Sequence, residues 1–582
     1  MIVGDAVLRD VRPARMAEGR ALDLVEGAGA GWVIARLDGD PPGVRVPATD
    51  AWPMPDGTGF VVHQADPGDE RGGLFVVPWQ GGPQTALVPQ LPAIELRGLG
   101  IADGGQTVAF TTVSERGYEL VVVHRDGGQW RSPQVLLGAD REIWFPTVAP
   151  NGRWCAVGVA PDAAGPRRFG LHVVDTATGE VVATADPGAG TVEPVAWDPT
   201  GSRLLCAADP GGWLRPAVFD VASATLTVAN GPGEMEVVPL DWSPDGHWIL
   251  CCAGGPVQQR LQRWTPDPLR MILDYGPQGT VFSPPFRAPR FDAVGEVLAV
   301  AEDEHTPPRL LRLPVHEAPP ARRPSSARTS WQSLTVRSDG GPAVQSWLRL
   351  PERGSGPYPL VVDLHGGPHV ASLRTFRPDA DAWAAAGYAW CSVNFRGSAG
   401  FGQAFQRAIW GDPGRAELSD VDAVVDHLVA TGVADPGRVI SSGASYGGYL
   451  ALQAAVTRSA RLAGAISIVG IADWVRAYEE ESPALQIADA ARFGGPPQHD
   501  PALWRDRSPI HHLAELTVPV LVVHARVDPR APGGQMAEFV ERARAAGRDV
   551  ETIWLGEGHG AFGASADELI DAQVRFANRV CR

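Results

Sequence analysis

Up to about residue 310, apolar positions come in short runs that Gly, Pro, Asp and Asn interrupt, a pattern of strands rather than helices. Gly59-Phe60-Val61-Val62 and Trp248-Ile249-Leu250-Cys251-Cys252 are typical runs. A turn signature precedes most of them: Pro55-Asp56-Gly57, Ala102-Asp103-Gly104, Pro150-Asn151-Gly152, Pro199-Thr200-Gly201, Pro244-Asp245-Gly246 and Ala293-Val294-Gly295. The glycines of these turns lie 47, 48, 49, 45 and 49 residues apart. One four-stranded propeller blade occupies a period of this length. The spacing therefore predicts an all-β propeller over residues 21–325. Six blades carry a marker, and a seventh is expected from the chain ends of the region. Residues 1–20 are set apart as an N-terminal segment expected to pack on the domain that follows.

Near residues 314–330 the chain turns Pro- and Arg-rich (Pro314, Pro319, Pro320, Arg322, Arg323, Pro324), as a linker does. Beyond it the pattern changes. Apolar runs of buried-strand type (359–364, 389–393, 438–441, 519–523, 551–555) alternate with helical stretches (380–386, 419–430, 446–458, 533–546). This alternation predicts a doubly wound, mostly parallel sheet over residues 326–582, the grammar of an α/β-hydrolase catalytic domain.

Composition narrows the chemistry. At 582 residues the chain is too long for a single hydrophobic core. Its 44% apolar and 20% charged residues are ordinary for folded domains. A formal charge of −17 disfavours nucleic acid as a partner, because phosphate contacts need a basic surface. All 50 basic residues are arginine. Schiff-base chemistry, lysine-bound pyridoxal phosphate and Ser–Lys dyads are thereby excluded. The six cysteines show no C-x-x-C spacing, so neither a zinc site nor a disulfide framework is expected. No run approaches the ~20 apolar residues of a membrane span. Residues 1–20 lack an apolar signal-peptide core, so the expected location is cytoplasmic, with no membrane partner.

The strongest chemical signal is Gly443-Ala444-Ser445-Tyr446-Gly447-Gly448, a G-x-S-x-G motif between a strand and a helical stretch. That context is what a nucleophile elbow needs, since the tight turn crowds backbone against the serine. A serine needs a base, and in α/β-hydrolases the chain order is Ser, acid, His. Of the later histidines, only His559 follows a late strand in a Gly-rich loop (Gly556-Glu557-Gly558-His559-Gly560). His524, His511 and His512 suit structural or surface roles. Asp528 follows the 519–523 run and is the acid in the right position, although Asp before Pro529 also suits an ordinary turn. The oxyanion hole is expected from the backbone N–H groups of Tyr446 and Gly367, the latter in His365-Gly366-Gly367-Pro368.

A propeller followed by these motifs resembles the prolyl oligopeptidase family, nearest its acylaminoacyl peptidase branch. The residues that carry the likeness are His365-Gly366-Gly367-Pro368, Asn394-Phe395-Arg396-Gly397-Ser398, Gly411-Asp412-Pro413, Glu417-Leu418-Ser419-Asp420-Val421, Gly443–Tyr449, Asp528-Pro529-Arg530 and Gly558-His559. The resemblance implies a serine peptidase that cleaves short peptides near the N-terminus, as an acylaminoacyl peptidase or aminopeptidase. An acyl-enzyme forms, and the propeller limits substrate size. It implies the same triad and oxyanion donors, no cofactor and no metal, and self-association as a homo-oligomer. Trp474, Tyr478 and Arg530 are candidates for the substrate pocket. Dipeptidyl-peptidase relatives hold the amino terminus with a propeller Glu pair, and no adjacent pair occurs before residue 315. Glu479-Glu480-Glu481 could anchor an amino group, but a solvated helix face is the plainer expectation. The alternative activity is that of an esterase, amidase or acyl transferase on a small amide or ester substrate, and a non-enzymatic propeller binder is a third reading.

Overall fold

A computed structural model describes residues 7–15, 20–27, 30–37, 44–66, 68–162, 167–186, 188–231, 233–276, 288–314, 331–337, 341–564 and 566–582. They form two compact units, one on each side of the Pro- and Arg-rich stretch. Residues 315–330 of that stretch lie outside the described residues.

In the N-terminal unit the described strands fall into seven consecutive antiparallel groups. The first comprises Val7–Pro13, Arg20–Gly27, Ala30–Leu37 and Arg45–Pro47. The second and third share one nine-stranded sheet, joined where Arg71–Pro78 pairs with Ile94–Ile101. Groups beginning at Ile143, Val192 and Glu236 have four strands each, and the last, from Arg290 to Leu313, has three. Neighbouring groups pack on each other. Val11 and Ala21 of the first group bury against Leu298 and Val300 of the last, which closes the ring. Residues 7–13, expected as part of a segment lying on the other domain, are a strand of this first blade. The seventh blade is thus contiguous at the start of the unit rather than assembled from both of its ends.

The period read from the turns has a structural cause. Each marker links the first and second strands of a blade, where the chain must reverse tightly. Gly57, Gly152, Gly201, Gly246 and Gly295 take φ of 69–83° there, which a side chain would strain. Asp56, Asn151, Asp198, Asp245 and Asp292 each accept a backbone N–H just beyond the turn.

The C-terminal unit is built on an eight-stranded sheet. Its spatial order is Gln332–Arg337, Ala343–Arg349, Ala389–Asn394, Tyr358–Leu364, Ala434–Ala444, Gly464–Ile468, Val520–Val527 and Val550–Glu557. The first two ladders are antiparallel and the other five parallel. Both faces are covered, which explains why the strands are apolar throughout rather than alternating. Leu360, Val362 and Leu364 face a core with the helices Ala416–Ala430 and Tyr446–Thr457. Val361, on the opposite side, joins Trp383, Trp390, Leu569 and Phe576 beneath the helices Pro378–Ala385 and Ala566–Val580. Each such fully buried side chain contributes about 1.5–3 kcal/mol. No helix among the described residues is long and apolar enough to cross a membrane.

Candidate active site

Parallel pairing brings the chemically interesting residues to one edge of the sheet. Ala444 pairs with Ile468, Ile468 with Val523, and Val527 with Glu557. Ser445, Asp528 and His559 therefore all emerge from the carboxyl ends of their strands, where ligands bind in sheets of this kind.

Ser445 sits between the strand Ala434–Ala444 and the helix Tyr446–Thr457 with φ 58° and ψ −122°, a strained backbone for a residue with a side chain. Its N–H donates to Ile468 O at 2.9 Å. Two glycines make the turn possible. A Cβ on Gly443 would stand 2.5 Å from both Leu364 O and Gly447 O, and one on Gly447 would run into Leu364 O. The motif's glycines are thus a consequence of backbone crossing backbone, and the strained turn holds the hydroxyl at the head of the helix.

Tyr446 follows at the first helical position, where its N–H has no partner within the helix. Its ring lies in a tight aromatic cluster with Tyr449 and Trp474, at centroid distances of 5.3 and 6.2 Å. Its hydroxyl donates to Glu417 Oε1 at 2.6 Å, and Gly414 N–H reaches both Glu417 oxygens at 3.0 Å. Glu417 is fully buried. Burial drives its pKa up to about 7, against the smaller opposing pull of the Tyr446 and Gly414 hydrogen bonds.

The His365-Gly366-Gly367 loop lies against Ser445, because a Cβ on Gly366 would stand 3.4 Å from Ser445 Cβ. His365 Nδ1 is 2.8 Å from Gly366 O, and Nε2 is 2.8 Å from Ser398 Oγ. A carbonyl only accepts, so Nδ1 carries the proton. Burial pushes the imidazole down to about 4, which keeps it neutral, and the Ser398 hydroxyl beside Nε2 donates to Phe395 O at 2.6 Å. The ring stacks on Phe395 at 4.2 Å. The carbonyl and N–H of one trans peptide point in opposite directions, so fixing Gly366 O also sets the direction of Gly367 N–H.

Asp528 and His559 are joined directly, with His559 Nδ1 at 3.0 and 2.9 Å from Asp528 Oδ1 and Oδ2. Arg530 and Ala531 N–H groups donate to Asp528 Oδ1 at 2.9 Å each. Burial opposes the charge on Asp528. The His559 hydrogen bond and field, with the two backbone donors, outweigh that and hold the carboxyl below its ordinary value. The two loops are tied by Gly558 N–H to Val527 O at 2.8 Å. His524, buried, bonds Ala531 O through Nε2 at 2.9 Å and braces the same turn. Among the described residues the imidazole is bonded to Asp528 and not to the Ser445 hydroxyl.

Of the pocket candidates, Trp474 is buried among Tyr446, Tyr449 and Phe493. Tyr478 is half-buried and packs edge-on against Trp504 at 5.3 Å. Arg530 has an exposed side chain, and its N–H serves Asp528. Two residues of this neighbourhood had no role assigned from sequence. Glu417 lay within a family motif without a stated function. Buried Gln535 accepts from Ala472 N at 2.7 Å and donates to Gly470 O at 3.1 Å, pinning the loop before Trp474.

A strained serine at a strand–helix turn, a carboxylate-held imidazole at the same sheet edge and an eight-stranded, mostly parallel sheet define the class, an α/β-hydrolase. Residues 374–582 match the model of the prolyl oligopeptidase family. An uncharacterized peptidase, YuxL, of Bacillus subtilis is 29% identical over 225 residues, which cover 38% of this chain and 34% of that protein. The acylamino-acid-releasing enzyme of Arabidopsis thaliana is 28% identical over 209 residues, 34% of this chain and 26% of that one. The chain thus spans about a third or less of these curated relatives. In fold it is similar to a puromycin-hydrolyzing peptidase of Mycobacterium tuberculosis (TM-score 0.79, 18% identity, 99% of this chain and 94% of that one). It is also similar to the Pyrococcus horikoshii acylaminoacyl peptidase (TM-score 0.71, 16% identity, 99% and 96%). The C-terminal unit belongs to the prolyl oligopeptidase family.

Proposed function

We propose that the protein is a serine peptidase that cleaves short peptides near their N-terminus, of the acylaminoacyl peptidase or aminopeptidase kind. The observation that carries this reading is the strained Ser445 at the same sheet edge as the Asp528–His559 pair. In the mechanism, Ser445 Oγ attacks the scissile carbonyl carbon while His559 Nε2 takes its proton. Asp528 keeps Nδ1 protonated and stabilises the imidazolium that forms. The Tyr446 and Gly367 N–H groups receive the oxyanion, and His365 holds the second of them in direction. The imidazolium then protonates the leaving amine, and water releases the acyl group by the same steps in reverse. The family of the C-terminal unit, and the relatives named for releasing acylamino acids, favour peptides over other acyl compounds.

Residues 21–325 act as the substrate-limiting domain and 326–582 as the catalytic domain in this reading. Cytoplasmic location and self-association rest on the sequence and its family likeness. The test is turnover of blocked and unblocked amino-acid anilides. Cleavage of at least one class, lost in Ser445→Ala, supports the proposal. Hydrolysis of matched esters with no amide turnover would favour the esterase reading.

A further inference from the structure

Two of the motifs that carry the family likeness, Asn394-Phe395-Arg396-Gly397-Ser398 and Glu417-Leu418-Ser419-Asp420-Val421, lie outside the triad, and each sets a charged residue against the other. Asp420 is fully buried on the inward face of the helix Ala416–Ala430. Its Oδ2 accepts the Arg396 backbone N–H at 2.8 Å. Both of its oxygens accept from the guanidinium, Oδ1 from Nη2 at 2.7 Å and each from Nε at 3.0 Å. Arg396 Nη2 also donates to Ala416 O at 3.1 Å. One carboxylate thus grips the main chain and the side chain of the same residue. That fixes the turn after the strand Ala389–Asn394 both in place and in orientation.

The same turn holds the loop that carries Gly367. The Ser398 hydroxyl lies 2.8 Å from His365 Nε2, and Gly397 O lies 2.9 Å from His369 Nδ1. Ala399 N–H donates to Val370 O at 2.9 Å. Buried Asn394 accepts from Ser372 N–H at 2.7 Å and donates to Ser372 O at 3.0 Å. These contacts bracket Gly367 on both sides, so its N–H keeps its direction only while the turn stays where Arg396 is held. The helix also braces the other expected oxyanion donor, because Glu417, one turn before Asp420, accepts the Tyr446 hydroxyl. A buried ion pair returns little net stability over apolar packing of the same volume. What Asp420 and Arg396 supply is a directed, bidentate grip that an apolar pair lacks.

We propose that Asp420 is a positioning residue of the oxyanion hole, acting through Arg396 and the 394–399 turn to aim the Gly367 N–H at the developing oxyanion. This rests on the serine-hydrolase reading, in which that N–H is the second oxyanion donor.

The experiment compares wild type with Asp420→Asn, which keeps the shape of the side chain and removes its charge. On the intact, folded chain it measures kcat and KM for a blocked anilide or ester that wild type cleaves. It also measures Ki for the matching peptide aldehyde and for the corresponding alcohol. Ser445 Oγ adds to the aldehyde carbon as its proton passes to His559, and the carbonyl oxygen becomes an oxyanion in the hole. The alcohol binds without that step. In Asp420→Asn, kcat falls by roughly 10- to 100-fold, less than the loss of a whole donor, while KM stays within about twofold. The aldehyde weakens by a similar factor and the alcohol does not. Equal weakening of both inhibitors, weakening of neither, or kcat within about twofold of wild type overturns the proposal. Should Asp420→Asn not fold, Ser398→Ala breaks the same route one link further on. Selective weakening of the aldehyde in that variant supports the proposal, and equal or unchanged inhibition overturns it. Wild type that a fluorophosphonate does not label at Ser445 defeats instead the serine-hydrolase reading beneath it.

Discussion

Two buried carboxyls flank the nucleophile elbow, and their surroundings drive them in opposite directions. Asp528 meets an imidazole N–H and two backbone N–H groups, and these keep it ionised despite its burial. Glu417 meets one phenol O–H and one backbone N–H, with no cation at contact distance among the described residues, and burial wins. The difference teaches that burial alone does not decide the charge of an active-site acid. The number and sign of the groups aimed at it do. In the proposed mechanism, one site needs permanent charge to orient a base. The other needs only a firm acceptor that holds the Tyr446 ring.

The largest effect that separates the two concerns rate. Asp528→Asn keeps the shape but presents the wrong partner to Nδ1, and kcat is expected to fall by about 10⁴. Steady-state kinetics on folded variant measure this, and a loss below tenfold would mean another group orients His559. Gly447→Ala tests the frame on which both carboxyls act. Its new Cβ collides with the Leu364 carbonyl, and unfolding in denaturant should show a loss of about 2–4 kcal/mol. Smaller still is Glu417→Gln, which retains an acceptor for the Tyr446 hydroxyl. It should change kcat by less than about tenfold, leaving KM in place.

Stability against pH sharpens the contrast, because the two groups must act with opposite sign. The depressed Asp528 contributes stability above its unfolded value of 3.8, and that is lost as pH falls through the folded value. The raised Glu417 contributes below its unfolded value of 4.5, and that is lost as pH rises to about 7. Relative to wild type, Glu417→Gln should therefore gain stability as pH climbs from about 4.5 to 7, by at most about 3 kcal/mol. Asp528→Asn should lose it over the range above 3.8. Parallel curves for both variants would break the comparison.

Much of this architecture is legible in the chain because its cause is local. The blade period is visible since five of the six marked hairpins combine a positive-φ glycine with a capping Asp or Asn one to three residues before it. The elbow is visible because Gly443 and Gly447 sit where backbone meets backbone. What escaped notice depends on contacts far apart in sequence. The first blade lacks the turn marker, and its closure needs Val11 beside Leu298. The strand Gly464–Ile468 is too short to stand out, yet its Ile468 carbonyl receives the Ser445 N–H. Gln535 holds a loop 63 residues earlier, and Glu481, buried against the expectation of a solvated face, differs from the exposed Glu479 and Glu480 only in which way the chain leaves the helix.

The central claim is that an imidazole oriented by Asp528 activates the Ser445 hydroxyl. Its most direct test is the rate of covalent fluorophosphonate labelling, read by mass spectrometry of the modified peptide. Wild-type protein should label at Ser445, Ser445→Ala not at all, and His559→Ala and Asp528→Asn far more slowly while folded. Labelling of Ser445 at the same rate in all three folded proteins that retain it would contradict the account.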